Sequence, residues 1–209
     1  KAKLLVYAYG GYAYDPVRMD WLRGVSFKPP FDVDWGAIVM QATSHGAVAW
    51  AHRPNRGPAG LWLFDRDKGW EDLKPAGAFG QPWCDSNGMT FDSKRDRLVM
   101  GPFGGKSGEM VSFDFATKKI EKFTPANEDL GKVGNSREMT YVAHADWILF
   151  LDSVMAGEKS LTRLYDCAKN RYLVLVAGKT PHAEENDLHS LSVNYDYRRQ
   201  LIYVIQAGG

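Results

Sequence analysis

The sequence predicts an all-β chain assembled from a repeated four-stranded unit. Three observations predict it. First, residues 88–105 align without gaps on residues 192–209, a shift of 104, and residues 139–151 align on 89–101 at a shift of 50. Second, an aromatic-Asp pair recurs at Tyr14-Asp15, Phe64-Asp65, Phe113-Asp114 and Tyr165-Asp166, at spacings of 50, 49 and 52. A large apolar residue follows each Asp five or six positions later: Trp21, Trp70, Ile120 and Tyr172. Third, short alternating segments end at Gly, Asp, Asn or Pro, and none keeps a helical period.

The third unit shows the pattern most clearly. Strands are expected at 89–93, 98–103, 110–115 and 120–124, with a polar turn at 93–96 and another at 116–118. The stretch 126–135 is the least regular and has room for one helical turn. A unit of about 50 residues with four strands is the sequence signature of a β-propeller blade. One such sheet cannot bury both faces alone; sheets stacked around an axis bury both. Large aromatics supply the area between blades. The expected organisation is a single propeller domain. It has a partial blade at 1–24, blades at 35–76, 85–125 and 135–177, and a partial blade at 189–209.

Composition narrows the function classes. The 209 residues carry 26 basic and 25 acidic side chains, a net charge of +1, which gives no electrostatic reason to expect nucleic acid or an anionic membrane. No apolar run reaches the length of a membrane span. The two cysteines, Cys84 and Cys167, form no CxxC and no Cys/His pair at zinc spacing. The repeat puts Cys84 before a first strand and Cys167 in a turn between third and fourth strands. These are opposite strand ends, which argues against a disulfide between them.

The repeat resembles the kelch family, within the kelch and galactose-oxidase type of propeller. A diglycine stands at Gly10-Gly11, Gly104-Gly105 and Gly208-Gly209. Tyr14-Asp15 with Trp21, and Phe64-Asp65 with Trp70, match the aromatic part of the motif. Phe91-Asp92-Ser93-Lys94-Arg95-Asp96-Arg97 and Tyr195-Asp196-Tyr197-Arg198-Arg199 look like the first hairpin of bacterial kelch proteins. Pro54-Asn55 and Val154-Met155 replace two diglycines, and Ile120 replaces one Trp. The resemblance implies six or seven blades, so two to three are absent from this sequence, which reads as part of a longer chain. It also implies a secreted, extracellular bacterial home. The diglycine fits a strand end that needs positive φ. The Asp after each aromatic is expected to cap the following turn by bonding its own backbone.

In this fold the site usually lies at the mouth, among loops entering first strands and loops joining second to third strands. The entering positions are Trp35-Gly36-Ala37, Asp85-Ser86-Asn87, Asn135-Ser136-Arg137 and His189-Ser190-Leu191. The other loops add His52, Arg53, Arg56, Lys106 and Lys159. Together they predict a locally positive mouth suited to an anionic ligand such as a uronate or sulfated glycan. Glu109, Glu158, Glu184, Glu185 and Asp187 lie nearby and would offset it. The small polar residues also fit plain turns. The ligand-binding candidates are Trp35, Asp85, Asn87, Asn135, Arg53, Arg56, Lys106 and Lys159; the catalytic candidates are His189 and Arg137.

No cofactor is expected. A bound cation in the acidic loop from His182 to His189 is the one metal reading, and solvation explains that loop as well. The galactose-oxidase copper site needs a Tyr, His and Cys–Tyr set that these residues do not assemble. His45 and His144 fall in first hairpins, away from the mouth. Residues 101–107 lack the spacing and following helix of a phosphate loop. Two function classes follow. One is a binding module for protein or glycan. The other is a lyase or hydrolase on acidic polysaccharide, with Arg137 neutralising a carboxylate and His189 as acid or base.

Overall fold

The computed structural model describes residues 6–8, 12–15, 19–23, 29–30, 38–51, 60–65, 68–78, 88–101, 110–123, 125–127, 135–153, 162–174 and 191–206. Among the described residues there is no helix, and every regular element is a strand. The chain divides into two compact units, residues 1–74 and 75–209.

The first unit holds two sheets. β1 (Val6–Ala8), β2 (Tyr12–Asp15) and β3 (Asp20–Arg23) form one. β4 (Ile38–Thr43), β5 (Gly46–Ala51), β6 (Gly60–Asp65) and β7 (Gly69–Asp72) form the other. The second unit holds three. β8 (Met89–Asp92), β9 (Arg97–Met100), β10 (Met110–Asp114) and β11 (Lys119–Phe123) make a four-stranded sheet. β12 (Asn135–Val142), β13 (Trp147–Ser153), β14 (Thr162–Asp166) and β15 (Arg171–Val174) make another. β16 (Leu191–Asp196) and β17 (Leu201–Gln206) make a two-stranded one. All pairs are antiparallel and follow chain order. The segment 126–135 contains no helix where it is described, at 126–127 and at Asn135, which opens β12; residues 128–134 lie outside the described residues.

The turns explain why these strands fold back where they do. After a third strand, the carboxylate of Asp65, Asp114 or Asp166 accepts the N–H three residues on, at 2.9, 2.7 and 3.0 Å. This is the capping role expected from the aromatic-Asp pairs. After first strands, Asp92 and Asp196 do the same for Arg95 and Arg199, at 3.2 and 3.1 Å. The last loop residue then turns left-handed, at φ 50 for Asp96, 57 for Asp146, 55 for Gln200, 55 for Lys118 and 49 for Asn170. Such a residue matches the twist of the strands a four-residue loop must join. The β4–β5 loop has only two residues, and Gly46 carries the strain at φ 135. A Cβ there would meet the Phe64 carbonyl oxygen at 2.8 Å.

The aromatic-Asp repeat marks a cross-strand pair. Tyr14 faces Trp21, Phe64 faces Trp70, Phe113 faces Ile120 and Tyr165 faces Tyr172. Phe64 and Trp70 meet edge to face at 5.0 Å, and Tyr165 and Tyr172 at 5.7 Å. Such pairs add about 0.5–1.5 kcal/mol beyond their buried area. Spacing is five rather than six where the turn is one residue shorter, at Asp65 opposite Gly69.

Within the second unit the sheet β12–β15 is buried on both faces. Met139, Tyr141, Ile148, Phe150, Tyr165 and Tyr172 pack with Val99 and Met110 of the preceding sheet. Val142, Leu149 and Leu164 pack with Val193 of the following one. β12 accordingly lies beside β8 and beside β16. The Thr90 hydroxyl accepts the Tyr141 N–H at 2.9 Å, a directional bond between two sheets.

Outer edges are covered in a repeated way. Ala76 exchanges backbone bonds with β11, donating to the Lys118 carbonyl and accepting from Ile120, both at 2.8 Å. One period later Ala126 donates to the Asn170 carbonyl at 2.8 Å. The Asn127 side-chain amide then bonds both backbone groups of Tyr172, at 2.8 and 2.9 Å. Asn127→Ala is expected to destabilise the second unit by about 1–3 kcal/mol, because it leaves a half-buried strand edge without its partner. Urea unfolding of both proteins checks this; an unchanged midpoint would remove the edge-cover role.

Candidate functional site

Two of the residues read as site candidates fall on described backbone. Asn135 opens β12 opposite Ser153. Arg137 is the extra residue of a β-bulge: Ser136 pairs with Asp152 and Glu138 with Leu151, so Arg137 has no opposite number. A bulge bends its strand and re-aims side chains, and bulges gather at rims and beside binding sites. Trp35, Arg53, Arg56, Asp85, Asn87, Lys106, Lys159 and His189 lie outside the described residues, as do Cys84 and the loop from His182 to His189. Among the described residues no three His, Cys, Asp or Glu side chains gather where they could hold a metal ion. Among them, too, no helix is long and apolar enough to cross a membrane.

A dense polar cluster, among the described residues, lies at the other end of the strands. It joins the first hairpins of adjacent sheets. Arg95 grips Asp146 with both terminal nitrogens, at 2.7 and 2.9 Å, and reaches Asp92 at 3.1 Å. Arg97 Nε donates to Asp92 at 3.1 Å, and Lys94 Nζ to Asp146 at 3.0 Å. The Tyr141 hydroxyl donates to Asp146 at 2.9 Å. The Asp92 side chain is fully buried, and that of Asp146 is 11% exposed.

The electrostatics follow from this geometry. The Arg95 guanidinium holds the Asp146 carboxyl well below the usual carboxylate range; burial opposes it, and Lys94 and Tyr141 assist. The bond to Asp146 in turn raises Arg95. Burial pushes the Tyr141 phenol above its ordinary value, and its bond to Asp146 adds to that. Burial pushes the nearby Cys167 thiol up to about 12, so this free, buried cysteine stays protonated at neutral pH. A carboxylate already held by two cations and a phenol is a poor general base, and a buried neutral thiol is a poor nucleophile. The cluster is a joint between sheets.

The equivalent place between β12 and β16 uses other chemistry. The exposed His144 ring stacks on Tyr195 at 5.6 Å, and its Nδ1 contacts the Tyr195 hydroxyl. His45 is exposed in the β4–β5 turn, where its N–H donates to Thr43 at 3.1 Å. Both histidines thus sit in first hairpins, as the repeat places them.

Asp146 titrates lower when folded than when unfolded. Its contribution is therefore complete above the ordinary carboxylate value, about pH 4, and fades as pH falls below it. Asp146→Asn is expected to flatten the fall in stability between about pH 5 and pH 2, and to lower stability at pH 7. Arg95→Ala, which strips both carboxylates of a partner, is expected to cost about 2–4 kcal/mol at pH 7. Urea unfolding across pH checks both; an acid limb as steep in Asp146→Asn as in the parent would refute the assignment. No protein-family model matches the chain and no curated protein matches it.

Proposed function

We propose that the chain forms blades of a kelch-like β-propeller of six or seven blades and acts as a binding module for a protein or an anionic glycan through its loop face. The observation that carries the reading is the sheet β12–β15, buried on both faces by the sheets before and after it in sequence. Consecutive meander sheets stacked with their first strands side by side are what blades around an axis require. The ligand face is then the end of the first strands opposite the ion network. The repeat assigns Trp35, Asp85, Asn87 and Asn135 to the entering loops of their blades, and Arg53, Arg56, Lys106 and Lys159 to the loops between second and third strands.

The bulge at Arg137 favours a second reading on the same face. There Arg137 neutralises a uronate carboxylate and His189 removes the neighbouring proton, giving β-elimination. One experiment separates the two. The protein is titrated with uronic-acid oligosaccharides in a calorimeter while ultraviolet absorbance follows unsaturated products. The binding reading expects heat without product, and affinity lowered about tenfold or more in Arg137→Ala. Product formation lost in His189→Ala would replace it with the enzyme. Absence of any glycan binding would leave a protein as the ligand.

A further inference from the structure

In the second unit, the turns after first strands and after third strands lie at one end of the sheets, opposite the entry end. Adjacent sheets meet there, through Arg95 with Asp146 and through His144 with Tyr195. Charge at this end follows a repeated rule: cations outnumber the carboxylates they surround. In the ion network, Lys94, Arg95 and Arg97 stand against Asp92 and Asp146, three against two. Asp114 caps its turn beside Lys118 and Lys119, and Asp166 caps its turn beside Lys169 and Arg171, two against one at each. The β16–β17 turn repeats the ratio, with Arg198 and Arg199 beside Asp196. The two four-stranded sheets carry the pattern by themselves. Their residues 92–97, 114–119, 143–146 and 166–171 hold seven basic side chains and five acidic ones.

The two signs are also layered. Asp92, Asp146 and Asp166 are buried and Asp114 is half-buried, whereas Lys94, Lys118, Lys119, Lys169 and Arg171 are exposed. Among these residues Asp96 is the one exposed acid. An approaching anion therefore meets cations first, with the carboxylates beneath them tied to turn amides and to arginine. Strands lie about 4.8 Å apart and stacked sheets about 10 Å apart, so a turn recurs about every 10 Å across a sheet and from sheet to sheet. An extended polypeptide advances about 3.3 Å per residue, so every third residue meets the next turn. No large apolar side chain is exposed in the turns of these two sheets, so no Trp or Tyr stands free to stack on a sugar and no apolar anchor to enter a bilayer. Charge alone is on offer. We propose that this turn end is an interaction surface for an extended acidic polypeptide, with a carboxylate at about every third residue meeting successive turns. It is separate from the ligand face at the entry end.

The test titrates the full chain into a fluorescent peptide of repeated Glu-Ser-Gly, about twelve residues long, and follows anisotropy. The expected result is saturable binding that weakens at least about tenfold between about 0.1 M and about 1 M salt. The double variant Lys119→Gln, Arg171→Gln removes two exposed cations outside the ion network, and is expected to weaken binding at least about fivefold with the urea midpoint unchanged. If that variant is destabilised, Lys118→Asn replaces it, because Asn suits the left-handed φ of 55 there; about twofold weakening is expected. Equal affinity in parent and variants, or affinity indifferent to salt, would overturn the proposal. So would loss of peptide binding in Arg137→Ala with the double variant unaffected, which would put the peptide at the entry end. Tighter binding of uronic-acid oligosaccharides or phosphatidylserine vesicles, lost in the double variant, would overturn it too, by making the partner of this face a glycan or a bilayer.

Discussion

A four-stranded sheet with apolar residues on both faces has no side to turn toward water. In the sheet β12–β15, Tyr141, Ile148, Phe150 and Tyr165 feed one cluster, while their immediate neighbours Val142, Leu149 and Leu164 feed another. Side chains alternate across a strand, so neither face can be wet. Each such side chain favours burial by about 1.5–3 kcal/mol, and a lone sheet would forgo that on one face. β8 shows the same constraint, with all four of its residues buried. Stacking in series satisfies it, and stacking in series requires a repeating sequence. Each unit then depends on its neighbours for stability.

Apolar stacking is non-directional and does not fix how far one sheet slides over the next. The directional contacts do. Thr90 with the Tyr141 N–H sets the offset beside the core. Arg95 with Asp146 sets it at the turn, through a bidentate pair whose planes must match. Burying charge is costly, and a buried network is weak evidence of net stability. Its value here is registration. Asp92 and Asp146 are surrounded by Lys94, Arg95, Arg97 and Tyr141, which leaves their oxygens well supplied with donors. Where no such cluster exists, His144 and Tyr195 bridge the next pair of sheets by ring stacking.

The repeat was legible because its markers have strict local jobs. Asp114 must bond its own turn, and Phe113 must face Ile120, so both recur at a fixed distance. The ion network was not legible. Asp146 aligns with Asp96 and both turn left-handed, and Asp146 reaches across the sheets to Arg95. That contact depends on how neighbouring sheets are offset, which no residue spacing encodes. The edge cover does have a sequence signal: Pro75-Ala76 and Pro125-Ala126 stand 50 residues apart. The bulge at Arg137 left none, because a single extra residue in an eight-residue strand does not disturb its alternation enough to be seen. Of the candidate site, the sequence placed Asn135 and Arg137 in the loop entering a first strand; they lie in β12 itself, which begins four residues before the aligned Met139.

The two ends of the first strands are under different constraints. At the turn end, polar groups are committed to holding the chain: Asp92 and Asp196 cap turns, Asp146 joins sheets, and left-handed residues close the loops. A substitution there disturbs the stack. At the entry end, the aligned positions hold Asn87, Arg137 and Leu191, three side chains with nothing in common. The bulge carries the point further, since β12 gains a residue there while β13 and β14 keep their pairing from Leu151 onward. The proposed ligand face is this entry end, where β12 takes an extra residue and keeps its partner strands.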